Sequence, residues 1–466
     1  MAFPEAAGRM AVDGQLVFPP GFLWGCATAA HQVEGGNRND WWQWEQQPGR
    51  IFQDHKHGLA CDWWNGRYEE DFDRAASLYN NAQRISVEWS RIEPEAGKID
   101  QWALDRYRQM VLALRERGMT PMITLHHFTN PIWLAERGGW LVADTPARFA
   151  AFAETVVKAL GDLCRLWCTV NEPMVYATNS YLFGTWTPGK KQLGATRRAA
   201  YAMLEGHVRA YHAIKAIQPE GQIGFSAHII GNKPAPPGTI NALATRLVNR
   251  FFNHAFLDAF NTGSLRLSGG RAFRVPHAVG AVDWVGMQYY QEFRSGFHWK
   301  SPQTLFIRQG KPPDMPVGPR LWGGLNPGAI FERLQWLYKV LKKPIYVSEA
   351  GVPDADDTIR PGYMAQTLKG IWHACGFNIP VRGLFWWSLL DNFEWTEGYD
   401  PRYSFGLYKT NFETQERTLR RSGELYREVG AHNALSAEMV AEFAPEMTPK
   451  IFPGSPGADG VTLKRR

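Results

Sequence analysis

The sequence predicts an α/β fold: a single (β/α)8 TIM barrel with long βα loops. Three observations point to it. Eight strand-like apolar runs punctuate the chain, at 22–30, 82–89, 121–128, 164–170, 222–230, 283–290, 344–348 and 381–390. Helix-patterned stretches lie between them, for example 105–117, 146–160, 199–217 and 327–341. The 466 residues are 44% hydrophobic and 21% charged, enough to bury a large core. Strand and helix in alternation imply parallel strands joined by right-handed crossovers, and eight such units suggest a closed barrel. The alternative is an open doubly wound sheet, but no Gly-rich dinucleotide loop follows the first run.

Taken in order, the runs are separated by connections of very unequal length. The longest follow the first run (33–81) and precede the seventh (291–343), and both carry Trp, Gly and Pro. Loops that follow barrel strands build the functional face, so long ones predict a deep pocket rather than an open groove. The last barrel helix is expected to end near Asn433. This divides the chain into a barrel domain, 1–433, and a C-terminal extension, 434–466, whose stretch from 446 on is rich in Pro and Gly and reads as a tail.

Composition removes several function classes. Ordinary hydrophobic and charged fractions exclude a disordered chain or a rod. No apolar run approaches the ~18 residues of a membrane span, so no membrane partner is expected. The net charge of +6, from 51 basic and 45 acidic residues, is small and not gathered in one block, which argues against nucleic acid. Five cysteines, with Cys164 and Cys168 four apart and no second pair, predict reduced structural thiols and a cytoplasmic location. The N-terminal segment lacks the pattern of a secretory signal. The unusual number is 20 Trp, with 16 Tyr and 26 Phe. Flat apolar faces with an N–H donor serve a core, and they also suit a sugar-binding cleft.

Three local motifs carry candidate chemistry. Thr169-Val170-Asn171-Glu172-Pro173 ends the fourth run, since Pro cannot continue a central strand. Tyr346-Val347-Ser348-Glu349-Ala350-Gly351 ends the seventh in the same way. A lone glutamate at a strand end is usually a solvated or salt-bridged group; two, on opposite strands of one barrel, would face each other across its mouth. The third motif, 385–395, leaves the eighth run with Asp391, Asn392 and Glu394 among Trp386, Trp387, Phe393 and Trp395. Some of these rings belong to the core, but polar groups beside flat faces fit a polyhydroxylated ring.

With these motifs stand Phe22-Leu23-Trp24-Gly25, Gln32-Val33-Glu34-Gly35 and Arg84-Ile85-Ser86-Val87-Glu88-Trp89-Ser90-Arg91-Ile92. Together they make the chain resemble glycoside hydrolase family 1, the β-glucosidase family, from about Phe18 to Arg427. The resemblance implies retaining hydrolysis of β-glycosides through a covalent glycosyl–enzyme, without a cofactor or metal. It assigns Glu172 as acid/base and Glu349 as nucleophile. It gives Gln32, His126, Asn171, Trp387, Glu394 and Trp395 to the sugar, and Arg84 and Tyr290 to the nucleophile. The implied partner is a small β-glycoside or short oligosaccharide. Arg84 is expected to favour the ionised form of Glu349, whereas Glu172, lacking a cationic partner, is expected to keep its proton.

The chain departs from the family pattern at three places: Ala350 after the nucleophile, His127 after His126, and Gln288 before the two tyrosines 289 and 290. A His126–His127 metal pair is disfavoured because adjacent strand side chains point apart. Glu34, Glu88 and Glu292 are rival carboxylates, read as structural. Phosphorylated sugars are a rival substrate, disfavoured by the negative charge expected at Glu394. A non-hydrolytic sugar-binding protein on the same barrel is the rival function, disfavoured because both glutamates are present.

Overall fold

A computed structural model describes residues 14–267, 272–301, 304, 306–319 and 322–453. Eight parallel strands close a barrel: β1 (Leu23–Ala27), β2 (Ala82–Ser86), β3 (Thr120–His126), β4 (Leu166–Asn171), β5 (Gln222–His228), β6 (Trp284–Gln288), β7 (Ile345–Ala350) and β8 (Val381–Trp387). Each pairs with its neighbour in sequence, and β8 pairs with β1 to close the ring. The closure excludes the open doubly wound sheet. Every residue of β2, β4 and β6 is buried, as parallel strands covered on both faces require. The interior is tight: a Cβ added at Gly286 on β6 would meet the Ser226 and Ser348 hydroxyls at 2.5 Å.

The outer ring holds α1 (Tyr68–Ser77), α2 (Gln101–Glu116), α3 (Thr145–Leu160), α4 (Leu193–Ile217), α5 (Thr239–Asn249), α6 (Ala255–Thr262), α7 (Ile330–Leu341), α8 (Arg360–Gly376) and α9 (Arg421–His432). Their apolar stripes explain the packing. In α2, Leu104, Tyr107, Val111 and Leu114 recur at three- and four-residue spacing and are buried. The Asp100 carboxylate accepts from the Ala103 N–H and starts that helix. Asn433, at φ 50°, ends α9. Beyond it, Ala434–Ser436 pairs antiparallel with Gln15–Val17, and Ala437–Phe443 packs against the barrel helices. Of the stretch from 446 on that reads as a tail, 446–453 is packed down instead, with Thr448–Ile451 helical and Ile451 and Phe452 buried against the barrel helices, and 454–466 lies outside the described residues. Among the described residues, no helix is long and apolar enough to cross a membrane.

The long connections rise over the carboxyl end of the barrel. The one after β1 carries Asp40–Glu45 with Trp41 and Trp44. Those after β5 and β6 join in a small sheet of Gly231–Pro234, Glu292–Phe297 and Ile307–Gly310.

Candidate active site

A cavity of about 530 Å³ opens at the carboxyl end of the barrel, and its walls include Glu172, Glu349, Glu394, Trp387 and Trp395. The end of β4 supplies Asn171 and the end of β7 supplies Glu349. Glu172 takes a left-handed conformation, φ 43° and ψ 58°, immediately before the helix that Pro173 opens. A non-glycine residue in that region is strained, and such strain gathers at functional sites.

Three donors converge on the Glu349 carboxylate. Arg84 Nη1 lies 2.5 Å from Oε1, Gln288 Nε2 lies 2.5 Å from the same oxygen, and the Tyr290 hydroxyl donates to Oε2 at 2.6 Å. Arg84 is fully buried and also donates to Asn171 Oδ1 at 2.6 Å and to Thr124 Oγ1 at 3.1 Å. Gln288 bridges Glu349 to Asn171 Oδ1, at 2.8 Å. Burial pushes the Glu349 carboxyl up to about 7, against the pull of Arg84 and Tyr290, and the nearby Glu172 charge adds to the rise. Desolvation outweighs the cation, although Arg84 pulls toward the ionised form as expected.

Glu172 faces one ring instead of a cluster of donors. His228 Nδ1 lies 2.9 Å from its Oε1. A ring N–H there donates to an ionised carboxylate, and a bare ring nitrogen accepts from a protonated one. Glu172 has no Arg or Lys partner, as expected, and this imidazole is its side-chain contact among the described residues. His228 closes β5, and nothing in its sequence neighbourhood marks it, since the pairing spans 56 positions.

His126 stands apart from the other sugar-facing candidates, although its buried Nδ1 has no partner. Its Nε2 is turned toward Asn130 Oδ1 and Trp140 Nε1, both at 3.3 Å, behind the cavity wall. His127 lines the cavity instead, its ring 6.0 Å from Trp395 and 6.1 Å from Trp387. His126 ends β3 and His127 lies just beyond it, so the two rings leave the chain in different directions. Asn171 Nδ2 donates to His127 Nε2 at 3.1 Å, and the proton then sits on His127 Nδ1, a buried donor with no partner.

The remaining sugar-facing candidates meet at the loop after β8. Gln32 Nε2 donates to Asn392 Oδ1, the Phe393 carbonyl and Glu394 Oε2, leaving its buried Oε1 without a partner. Burial, reinforced by Glu349, pushes Glu394 up to about 8. The charge argument against phosphorylated sugars weakens accordingly. A stronger one replaces it: among the described residues lining the cavity there is no Lys or Arg.

The rival carboxylates lie elsewhere. Glu34 pairs with Arg91 at 2.8 Å, Glu88 accepts from Asn39, Ser90 and Thr129, and Glu292 meets Arg333 at 3.3 Å. Among the described residues, those grouped closely enough to hold a cation are His31, Glu45 and His57, with ligand atoms within 4.8 Å of one another. Asn39 argues against that use. Its amide is oriented by Glu88 and the Trp42 N–H, so its Nδ2 donates to His31 Nδ1 and leaves the other ring nitrogen protonated. The His31 ring stacks on Trp395 at 5.7 Å and supports it from behind.

Two carboxylates at opposite strand ends, with aromatic walls and hydroxyl-sized donors and acceptors, define a barrel enzyme that acts on sugars. Sequence comparison agrees: residues 15–435 match glycosyl hydrolase family 1, and the chain belongs to that family, whose members are retaining glycosidases. It is 30% identical to β-glucosidase A of Thermotoga maritima over 90% of this chain and 98% of that one. A β-glycosidase from Pyrococcus horikoshii superimposes with a TM-score of 0.85 at 32% identity, covering 92% of this chain and 98% of its own. The T. maritima β-glucosidase in complex with glucoimidazole superimposes at 0.83 with 29% identity, covering 90% and 100%.

Proposed function

We propose that the protein hydrolyses terminal, non-reducing β-D-glucosyl residues by double displacement, with Glu349 as nucleophile and Glu172 as acid/base. One observation carries the assignment: Glu349 receives three donors, while Glu172 shares a single contact with an imidazole. Donors on both oxygens favour an anionic, oriented nucleophile. A contact that exchanges one proton suits a group that must give a proton to the leaving oxygen and later take one from water. Retention further requires the carboxyl groups about 5–5.5 Å apart.

Asn171, Trp387, Glu394, Trp395 and Gln32 are assigned to the glycone, with His127 in place of His126. His127 Nδ1–H and Gln32 Oε1 are a buried donor and a buried acceptor awaiting partners, and sugar hydroxyls supply both. Arg84 and Tyr290 hold the nucleophile, and Gln288 joins them. Glucoside preference is supported by the T. maritima relative and its glucoimidazole complex. The cytoplasm is the compartment assigned, on four free, buried cysteines: Cys26, Cys61, Cys164 and Cys168.

The test is covalent trapping. A 2-fluoro β-glucoside with a good leaving group should label Glu349, and Glu349→Gly should bind substrate but lose turnover. Label on another carboxylate, or near-normal turnover by that variant, refutes the reading.

A further inference from the structure

A second cavity, of about 440 Å³, adjoins the first. The two share five wall residues: Thr178, Phe183, Ile230, Phe252 and Gln309. The position of that shared wall is informative. Thr178 and Phe183 belong to the helical segment that begins directly after Glu172, and Ile230 lies two residues past His228. The second cavity therefore opens on the side of the Glu172–His228 pair. In the reaction proposed above, that is the side from which the leaving group departs. We propose that the aglycone of this enzyme's substrate carries a long hydrocarbon chain, and that the chain lies in this second cavity. The inference rests on the glucosidase reading and names its substrate class.

Three features support it. The cavity floor is apolar, with Leu182, Leu247, Val248 and Phe251 beside the shared Phe183 and Phe252. Two of its walls come from π-helical turns, Asn179–Phe183 and Arg250–His254. Such widened turns are rare and recur at functional sites. Finally, the apolar surface continues outward. Ile240 and Leu243 sit at positions i and i+3 to Leu247 at i+7, on one face of α5, and are 55% and 56% exposed. The neighbouring strand, tied to α5 through Asn241 Oδ1 and the Phe297 N–H at 2.8 Å, adds Phe297, 6.1 Å from the ring of Phe306. Single exposed apolar residues are ordinary, but a cluster leading from a cavity mouth marks a binding surface. The polar part of the lining is Thr178, His298, Ser301, Thr304, Arg308 and Gln309.

The test is a series of n-alkyl β-D-glucosides from methyl to dodecyl, each below its aggregation concentration. Each methylene that leaves water should raise kcat/KM about threefold to fourfold between butyl and octyl. Leu247→Gln should flatten that rise while leaving methyl glucoside turnover unchanged, which also shows that the variant is folded. A flat series, or a rise that survives Leu247→Gln intact, overturns the proposal. A second arm presents a glucosylated diacylglycerol in phosphatidylcholine vesicles, with Ile240→Ser/Leu243→Ser beside the parent. Turnover that this double variant loses identifies a membrane-borne lipid as the source of the chain; turnover of monomers alone identifies a soluble amphiphile. Failure to cleave methyl and nitrophenyl β-glucosides at all would instead remove the glucosidase reading itself.

Discussion

Tyr290 gives the nucleophile its third donor, and its removal has a predictable sign. The hydroxyl donates to Glu349 Oε2 and lowers that group's affinity for a proton, against the burial that raises it to about 7. Attack requires the ionised carboxylate, so activity is lost as pH falls through the free-enzyme value, which kcat/KM reports. Tyr290→Phe should move the acid limb of kcat/KM to higher pH by about one pH unit and lower its plateau by roughly one to two powers of ten. The limb belongs to the interacting pair, not to Glu349 alone. An unmoved limb would mean that the hydroxyl does not act on the charge of Glu349. Glu172→Ala tests the other carboxylate. Acid assistance is worth roughly 10²–10⁴-fold and matters most for poor leaving groups. Alkyl glucosides should suffer far more than nitrophenyl glucosides, and equal losses would argue that Glu172 is not the acid. Both glutamates were legible because each stops a strand-like run. The choice between His126 and His127 was not, because it depends on where β3 ends. That end is set by pairing with β4, where His126 meets Val170 and His127 lies beyond, and β4 is far away in sequence.

At the scale of elements, strand existence was legible and strand ends were not. The run 344–348 stops one residue short of Glu349, which the structure includes in β7. The π-helical turns carry no sequence signal of their own, since their residues differ little from those of ordinary helices. The loop after β8 shows how an element can be held for function. Asp391 receives Arg420 through both oxygens, at 2.9 and 2.8 Å, and also accepts from the Gly406 N–H. Both partners are only 7% exposed, so removing one leaves a buried charge uncompensated. Breaking such a pair costs about 3–5 kcal/mol. Asp391→Asn should therefore lower the thermal midpoint. It should also raise KM for glucosides more than it lowers kcat, because Glu394 and Trp395 hang from the same loop. Unchanged KM at reduced stability would show that the loop keeps its shape without the pair.

At the scale of the whole molecule, the site is built at the expense of stability, and pH exposes the cost. Glu349 is pushed up to about 7 and Glu394 to about 8, in both cases chiefly by burial. A carboxyl whose folded-state pKa is raised above its unfolded value near 4.3 is neutral in both states at low pH and burdens neither. As pH rises, the unfolded chain ionises first, and the folded state is penalised until its own groups ionise. The penalty thus grows between about pH 4.5 and 8 and is then constant. Glu394, half-buried at the cavity wall, shares in that penalty, which is complete above about pH 8. Glu394→Gln removes the charge and keeps an acceptor for Gln32 Nε2. It should raise the thermal midpoint by a few degrees at pH 8.5, and the gap should close at pH 4.5, while glucoside turnover falls. A gap that is the same at both pH values would show that the gain comes from packing and not from the half-buried carboxylate. A lower midpoint at pH 8.5 would show that Glu394 is stabilised in its ionised form by groups around Gln32 and Trp387, and that the site carries less strain than its burial implies.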